Sequence, residues 1–493
     1  MTRTNITIAI LATLIVVLCI FCYVGKPLFI GQYLPGMQTL IEGFGDTYIG
    51  DKIILHYLHR IENDIQYGIG PAYGLTPNSG EMTYLLLTGR LFAALVALTA
   101  FIASVVLFVV NSGGQQIEVS VSKVKIIVIV AMVIVAGTLI RLIFAGVMYG
   151  NFDMQSYDMV TNIFSVGRNV YATTTRYNYS PVWLWILYAL KQLKFPLLHV
   201  PFNIVVKLFL CCVDLLTLGV LLFIGNIRKL PPVRTAIFFY LCPVSFLMTG
   251  YHGQFENFAM LMVLIGIFMY LGFAGRPVLR VVMLWLFATA GMVVKHNTFY
   301  ELIICLHSSI KRYQIKLILF IVSIIVFLVL FIPYWKTGSK GIIEHVFKYG
   351  SYSGVYGLTS LFALPQLKYL FIAAMFVFPF FLKSRDIITR CLLGTLFFLT
   401  FTTGFAVQYL ILPVALGTLR PTKYFLLYTF AASILVLGND NNVFIPGFHL
   451  LKLNIIWIAV ICWFIAEMWF DRRPAACEVS VSKKDEKHKT RRL

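Results

Sequence analysis

Charge is scarce in this chain: Asp, Glu, Lys and Arg make up 12% of its 493 residues, while 59% are hydrophobic. Soluble domains carry about a quarter charged residues. With a mean hydropathy of +0.85, a water-soluble globular fold is excluded and a lipid-embedded one expected. Negative charge is the scarcer sign, 20 Asp+Glu against 40 Lys+Arg. The excess of +20 falls in short clusters between apolar runs, which reads as membrane topology and argues against a nucleic-acid partner. Of the nine cysteines, Cys19, Cys22, Cys211 and Cys212 sit inside apolar runs. No C-x-x-C pair is flanked by polar residues or His, so neither a zinc site nor a disulfide framework is expected. The outer carboxylates form no D-x-D, and no metal or other cofactor is expected. There is no long internal repeat of the kind that marks many secondary transporters. The first apolar run, 6–24, lacks a small-residue cleavage site with a polar flank and reads as a retained membrane helix.

What is present is a succession of apolar runs between residues 5 and 470. Roughly 14 of them approach the length needed to cross about 30 Å of hydrocarbon. The chain is therefore expected to be an all-α polytopic membrane protein. With the N-terminus in the cytoplasm, Lys123/Lys125, Arg228/Lys229/Arg234, Arg276/Arg280, Lys311/Arg312/Lys316, Lys383/Arg385/Arg390, Arg420/Lys423 and the C-terminal tail all fall on that side. Counting 181–193 as a further span would break this pattern. That segment is laid along the outer interface, where Trp183, Trp185, Tyr188, Lys191 and Lys194 suit a helix at headgroup level. Four regions follow: a two-span region with a large outer loop (1–124), a membrane module (125–335), a second membrane module with an outer loop at 336–365 (336–470), and a basic tail (471–493) expected to be disordered. EVSVSK at 118–123 recurs at 478–483, both on the cytoplasmic side. The spans read as nearly charge-free, and the polar residues crowd the non-cytoplasmic face at 26–82, 150–200, 251–255 with 295–297, and 336–365.

Three constellations on that face could carry chemistry. Asp153 and Asp158 follow the run that ends near Tyr149. An interfacial carboxylate can serve as a general base; either could equally cap the next helix. Asp46, Asp51, Glu62 and Asp64 in the earlier loop are rival bases. The second constellation is Tyr251-His252-Gly253-Gln254-Phe255-Glu256-Asn257, four hydrogen-bonding side chains wedged between two apolar runs, costly unless water or a substrate meets them. The third is Lys295-His296-Asn297. Lys295 can snorkel to the headgroups, or with His296 hold a phosphate; Arg168 and Arg176 are further candidates for that role.

At these places the chain resembles the GT-C membrane glycosyltransferases, which take a sugar from a polyprenyl-phosphate carrier. The resemblance covers roughly residues 125–420. It rests on an Asp after a membrane helix followed by G-x-N-V-Y (167–171) and Y-x-Y-x-P-x-W (177–183), on HGQFENF (252–258), and on VKHNTFYEL (294–302). In a late loop, where lipid-linked-oligosaccharide glucosyltransferases carry His-Glu-Lys, this chain has GFAVQYLILP (404–413). The resemblance implies inverting, single-step transfer of a hexose, glucose or mannose, to an acceptor hydroxyl on a glycolipid, polysaccharide or protein. It implies Asp153 as base with Asp158 as alternative, and Lys295, His296 and Arg176 around the donor phosphate. His252, Gln254, Glu256, Asn257, Tyr177 and Tyr179 would contact substrate, while Trp183 fits an interfacial aromatic belt equally well. A bacterial plasma membrane is favoured over the endoplasmic reticulum, where Asn178-Tyr179-Ser180 would be a glycosylation acceptor. A transporter or flippase would instead show ionisable residues at mid-membrane on broken helices. A glycan polymerase would show an arginine-rich outer loop.

Overall fold

A computed structural model describes residues 80–112, 122–147, 150, 152–193, 200–348, 356–362, 366–384, 386–438 and 448–472. The first predicted span, the early loop with Asp46, Asp51, Glu62 and Asp64, residues 118–121 of the first EVSVSK copy, and the tail from 473 with the whole second copy lie outside the described residues.

The described chain is helical, without strands. Its elements are α1 (Gly80–Ser112), α2 (Lys123–Val147), α3 (Phe152–Ser165), α4 (Val170–Thr173), α5 (Pro181–Gln192), α6 (Phe202–Ile227), α7 (Pro232–Tyr240) and α8 (Pro243–Phe246). There follow α9 (Glu256–Gly272), α10 (Pro277–Val294), α11 (Phe299–Ser309), α12 (Tyr313–Val329), α13 (Ile332–Gly341), α14 (Leu358–Leu361), α15 (Leu367–Val377), α16 (Ile387–Phe401), α17 (Leu412–Leu419), α18 (Lys423–Gly438) and α19 (Phe448–Arg472). Among the described residues three helices, 123–146, α6 and α10, are long and apolar enough to cross a membrane, or five if two bent pairs each count as one. Several of the runs expected as spans are shorter apolar helices, such as the 17-residue α9.

Proline sets the breaks. Pro243 follows α7 and cannot continue its hydrogen-bond ladder, and the path bends by 46° between α7 and the segment 243–252. Pro333 does the same after α12, where α13 turns by 81°. Residues 336–347, expected as loop, are therefore helical: α13 runs on into a π turn at Ile342–Phe347.

The bundle is organised around α9, which pairs along its length with α10 and packs on its other side against α6. Phe273–Arg276 makes the tight turn between α9 and α10, with Pro277 opening α10. The helix α13 lies across α4: Asn169 donates from Nδ2 to Tyr334 O at 2.8 Å and to Thr337 Oγ1 at 2.7 Å. This crossing is so close that a methyl group on Gly341 would run into the backbone oxygen of Tyr171. Because a carbonyl cannot rotate away as a side chain can, Gly341→Ala is expected to cost about 1–3 kcal/mol. Thermal unfolding of the detergent-solubilised protein checks this, with Gly219→Ala, whose added carbon meets nothing within 4 Å, expected to be neutral or slightly stabilising.

Two ends of the bundle are chemically distinct. At one, Arg228 pairs with Asp386, Arg420 with Glu467 at 3.4 Å, and Arg390 with His307, so basic clusters far apart in sequence meet. At the other are the loops before α3, α9 and α11. The 11 residues of α11 separate the two ends by about 16 Å at 1.5 Å per residue.

Candidate functional site

The local sequence builds the site from two helix starts and one helix end. Asp153 lies in the first turn of α3, where the helix dipole favours a carboxylate. The segment Leu247–His252 winds as a π turn, a geometry that often marks functional sites, and ends on Gly253 in the left-handed region (φ +73°). A side chain there would be strained and would also strike the Met154 thioether. That turn delivers Gln254 to Asp153, and Gln254 Nε2 donates to Asp153 Oδ2 at 2.6 Å.

Next to this pair, Glu256 opens α9 and Lys295 closes α10; their carboxylate and ammonium meet at 2.6 Å, with side-chain exposures of 0% and 3%. Lys295 Nζ also lies 4.2 Å from the centres of both the Tyr179 and Phe255 rings, a cation–π cradle that partly replaces lost hydration. Trp183 stacks on Phe255, with centroids 4.0 Å apart and planes at 8°. Tyr157 is buried against Trp183, Tyr179 and Phe255. Burial first, then the Asp153 and Glu256 carboxylates, hold the Tyr157 phenol well above its ordinary range. It is a neutral hydroxyl at any physiological pH.

Behind Gln254 and Glu256 stands a second network. Asn257 Nδ2 donates to Asp214 Oδ1 at 2.5 Å, Thr249 Oγ1 to Asp214 Oδ2 at 2.8 Å, and Arg141 Nε to the same oxygen at 2.8 Å. Arg141 further donates to Gly137 O, Tyr240 O and Ser245 Oγ at 3.1, 2.7 and 2.8 Å. Arg141 and Asp214 are both wholly buried in helices of long apolar runs. The expectation of nearly charge-free spans is thus incorrect. A lone charge in an apolar run was the available signal, and the partner, 73 positions away, was not legible. Lys207, a second cation in an apolar run, is also buried; its stem passes 3.4 Å from where side chains at Gly150 and Gly253 would begin.

The other expected residues are distributed as follows. Tyr177 is buried and donates to Ser180 O at 2.7 Å, so its hydroxyl holds the loop. Asp158 faces away: five residues put it about 140° around the helix from Asp153, where it pairs with Lys191 at 2.9 Å and is 48% exposed. His252 is buried, but Nε2 points to Val436 O at 2.9 Å, on α18. Arg176 is half-buried in the loop before α5, its backbone N–H on Thr174 Oγ1. Trp183, read as a possible belt residue, is instead fully buried because Phe255 covers its face, whereas Trp185 on the same helix is 39% exposed. The sequon hydroxyl, Ser180 Oγ, is turned inward onto Val293 O.

Buried polar atoms without a protein partner among the described residues gather in these loops: Gln254 Oε1, Asn257 Oδ1, both amide atoms of Asn297 and His296 Nδ1. Native proteins leave few such atoms unsatisfied, and a polyhydroxylated ligand would satisfy them. Among the described residues no cluster of His, Cys, Asp and Glu has the arrangement of a metal site. His296 is pushed down to about 4, by burial and then by Lys295. A folded-state value below the ordinary 6.5 means that acid protonates the unfolded chain first. The contribution of a neutral His296 is therefore complete above about pH 6.5 and declines as pH falls toward 4, by at most about 3 kcal/mol at 1.36 kcal/mol per pH unit and less where water reaches the ring. Thermal midpoints of wild type and His296→Phe are expected to converge between pH 7 and pH 5; parallel curves would remove His296 from the account.

No protein-family model, no curated protein and no solved structure matches this chain. The resemblance drawn from its sequence rests on the three motifs alone.

Proposed function

We propose that the chain is a polytopic membrane glycosyltransferase of GT-C type, moving a hexose from a polyprenyl-phosphate donor to an acceptor hydroxyl with inversion. The observation that carries this reading is the convergence of Asp153, Gln254, Glu256 and Lys295 with buried amide oxygens that have no partner among the described residues, all at one end of an apolar helical bundle. Asp153 takes the acceptor proton as the hydroxyl attacks the anomeric carbon. Gln254 holds the carboxylate by one oxygen and offers its own amide oxygen to a sugar hydroxyl. The bond to the carrier phosphate breaks, and the phosphate leaves with the electron pair.

Lys295 neutralises that phosphate only by exchanging partners, because Glu256 already occupies it. In this reading donor binding draws Lys295 off Glu256, and Tyr179 and Phe255 keep the ammonium in place during the exchange. Arg176 and His296 are secondary candidates for the phosphate. Asp158, engaged by Lys191, is no longer the preferred alternative base.

A transporter for lipid-linked sugars is the second reading, favoured by the buried Arg141–Asp214 pair and the bent helices. The pair's donors and acceptors are nevertheless occupied by protein groups from α2, α6, α7, α8 and α9. That suits a clamp between helices better than a cargo path. The test is transfer of labelled sugar from synthetic polyprenyl-phosphate glucose or mannose to a crude glycolipid acceptor pool by the purified protein. Label in the acceptor supports the enzyme. Label carried intact across proteoliposomes, with none transferred, would replace it with the transporter.

A further inference from the structure

A groove at the opposite end of the bundle is not used by this chemistry. It has a volume of about 90 Å³ and opens between α11, α12 and α15. Leu317, Phe320, Phe376 and Phe380 form its apolar sides, and His307 and Lys316 its polar end. Phe320 and Phe376 meet edge to face at 5.4 Å, and Phe380 meets the His307 ring at 4.7 Å. Leu317, Phe376 and Phe380 are 45%, 41% and 65% exposed.

Arg390, from α16, stands behind the polar end and bonds the His307 ring there. Its Nη2 donates to His307 Nδ1 at 2.9 Å and to Pro379 O at 3.0 Å. Because that nitrogen accepts, the imidazole is neutral and contributes no third positive charge there. Lys316 lines the same groove as His307, the ring to which Arg390 is bonded, so the two cations stand on either side of that imidazole. Among the described residues Lys316 makes no ion pair, and no carboxylate lines the groove. Two cations held together beside an exposed apolar channel call for an anion that also carries hydrocarbon. Inorganic phosphate would leave the exposed faces of Leu317, Phe376 and Phe380 uncovered.

We infer that this groove binds one anionic glycerophospholipid, its phosphate between Lys316 and Arg390 and one acyl chain along Leu317, Phe320 and Phe376. Basic pockets between membrane helices hold anionic headgroups in this way, and a negative leaflet surface draws juxtamembrane cations toward it. The inference rests on the membrane reading of the apolar helices and is independent of sugar transfer.

The experiment is native mass spectrometry and thermal unfolding of the detergent-solubilised full chain with added phosphatidylglycerol, phosphatidylcholine of the same chains, or inorganic phosphate. Phosphatidylglycerol should be retained at least tenfold better than phosphatidylcholine and should raise the thermal midpoint. Lys316→Gln and Leu317→Glu, both at partly exposed positions, should each abolish the preference, and Lys316→Arg should keep it. Equal retention of the two lipids, or a preference indifferent to Lys316→Gln, overturns the inference, as does inorganic phosphate reproducing the whole shift. In none of these cases is the transfer reading affected, since no sugar donor is used. Carbonate extraction releasing the protein from membranes would instead defeat the membrane reading and this site together.

Discussion

Asp153→Asn is expected to lower sugar transfer by about a hundred- to ten-thousand-fold, the usual contribution of a positioned general base, while donor binding and folding persist. Asn is nearly isosteric, and its side-chain oxygen can still accept from Gln254 Nε2, which now bonds Asp153 at 2.6 Å. What disappears is the ability to take a proton. The comparison that gives the result meaning is Asp158→Asn, which removes a surface carboxylate paired with Lys191 and should leave turnover within about twofold, as exposed ion pairs contribute little. Rates would be measured from both polyprenyl-phosphate glucose and mannose, with donor affinity determined separately. Full activity in Asp153→Asn together with loss in Asp158→Asn would exchange the two roles. Full activity in both would send the search for the base to the early loop containing Asp46 and Asp51.

Breaking the Arg141–Asp214 pair from one side is expected to have the largest effect on stability. Either Arg141→Leu or Asp214→Leu leaves a bare charge at a wholly buried position, a change that costs about 3–5 kcal/mol. The double variant removes both charges and should recover much of that loss, because well-packed apolar side chains often replace a buried pair at little cost. Thermal midpoints and expression yields of the two singles and the double in one detergent decide the matter. Non-additivity on that scale is the signature of a direct partnership. Simple additivity would mean that Arg141 and Asp214 act separately, and that the clamp across α2, α6 and α9 is not what holds these helices together. Asn257, which donates to Asp214, links the clamp to the site. The double variant is thus expected to be stable yet slow in transfer, and rescue of stability without rescue of rate would identify Asp214 as a positioning residue for the α9 start.

Much of the architecture could be read from local pattern. Long apolar runs with few charges imply helices, since a helix satisfies its backbone polar groups internally, and the described chain is helical. The break before α9 was visible in the density of polar letters from His252 to Asn257, and the need for Gly253 follows from its left-handed backbone. The bends at Pro243 and Pro333 also lie in the letters, although residues 336–347 read as loop because α13 is polar enough to hide its helix.

Partnerships were another matter. Glu256 and Lys295 both stand out as letters, one suited to a sugar and one to a phosphate, but their mutual ion pair depends on α9 and α10 lying side by side. Trp183 reads equally as an interfacial anchor or a core residue until Phe255 is laid across it. Asp153 and Asp158 are indistinguishable as letters; one turn and a half of helix directs the first to Gln254 and the second to Lys191. The helical class and the loops where polar groups gather follow from the order of the letters, because hydrophobic periodicity and backbone satisfaction are local properties. Only the tertiary structure decided which charge meets which, since in a buried, weakly screening interior that choice depends on distances of a few ångströms between residues far apart along the chain.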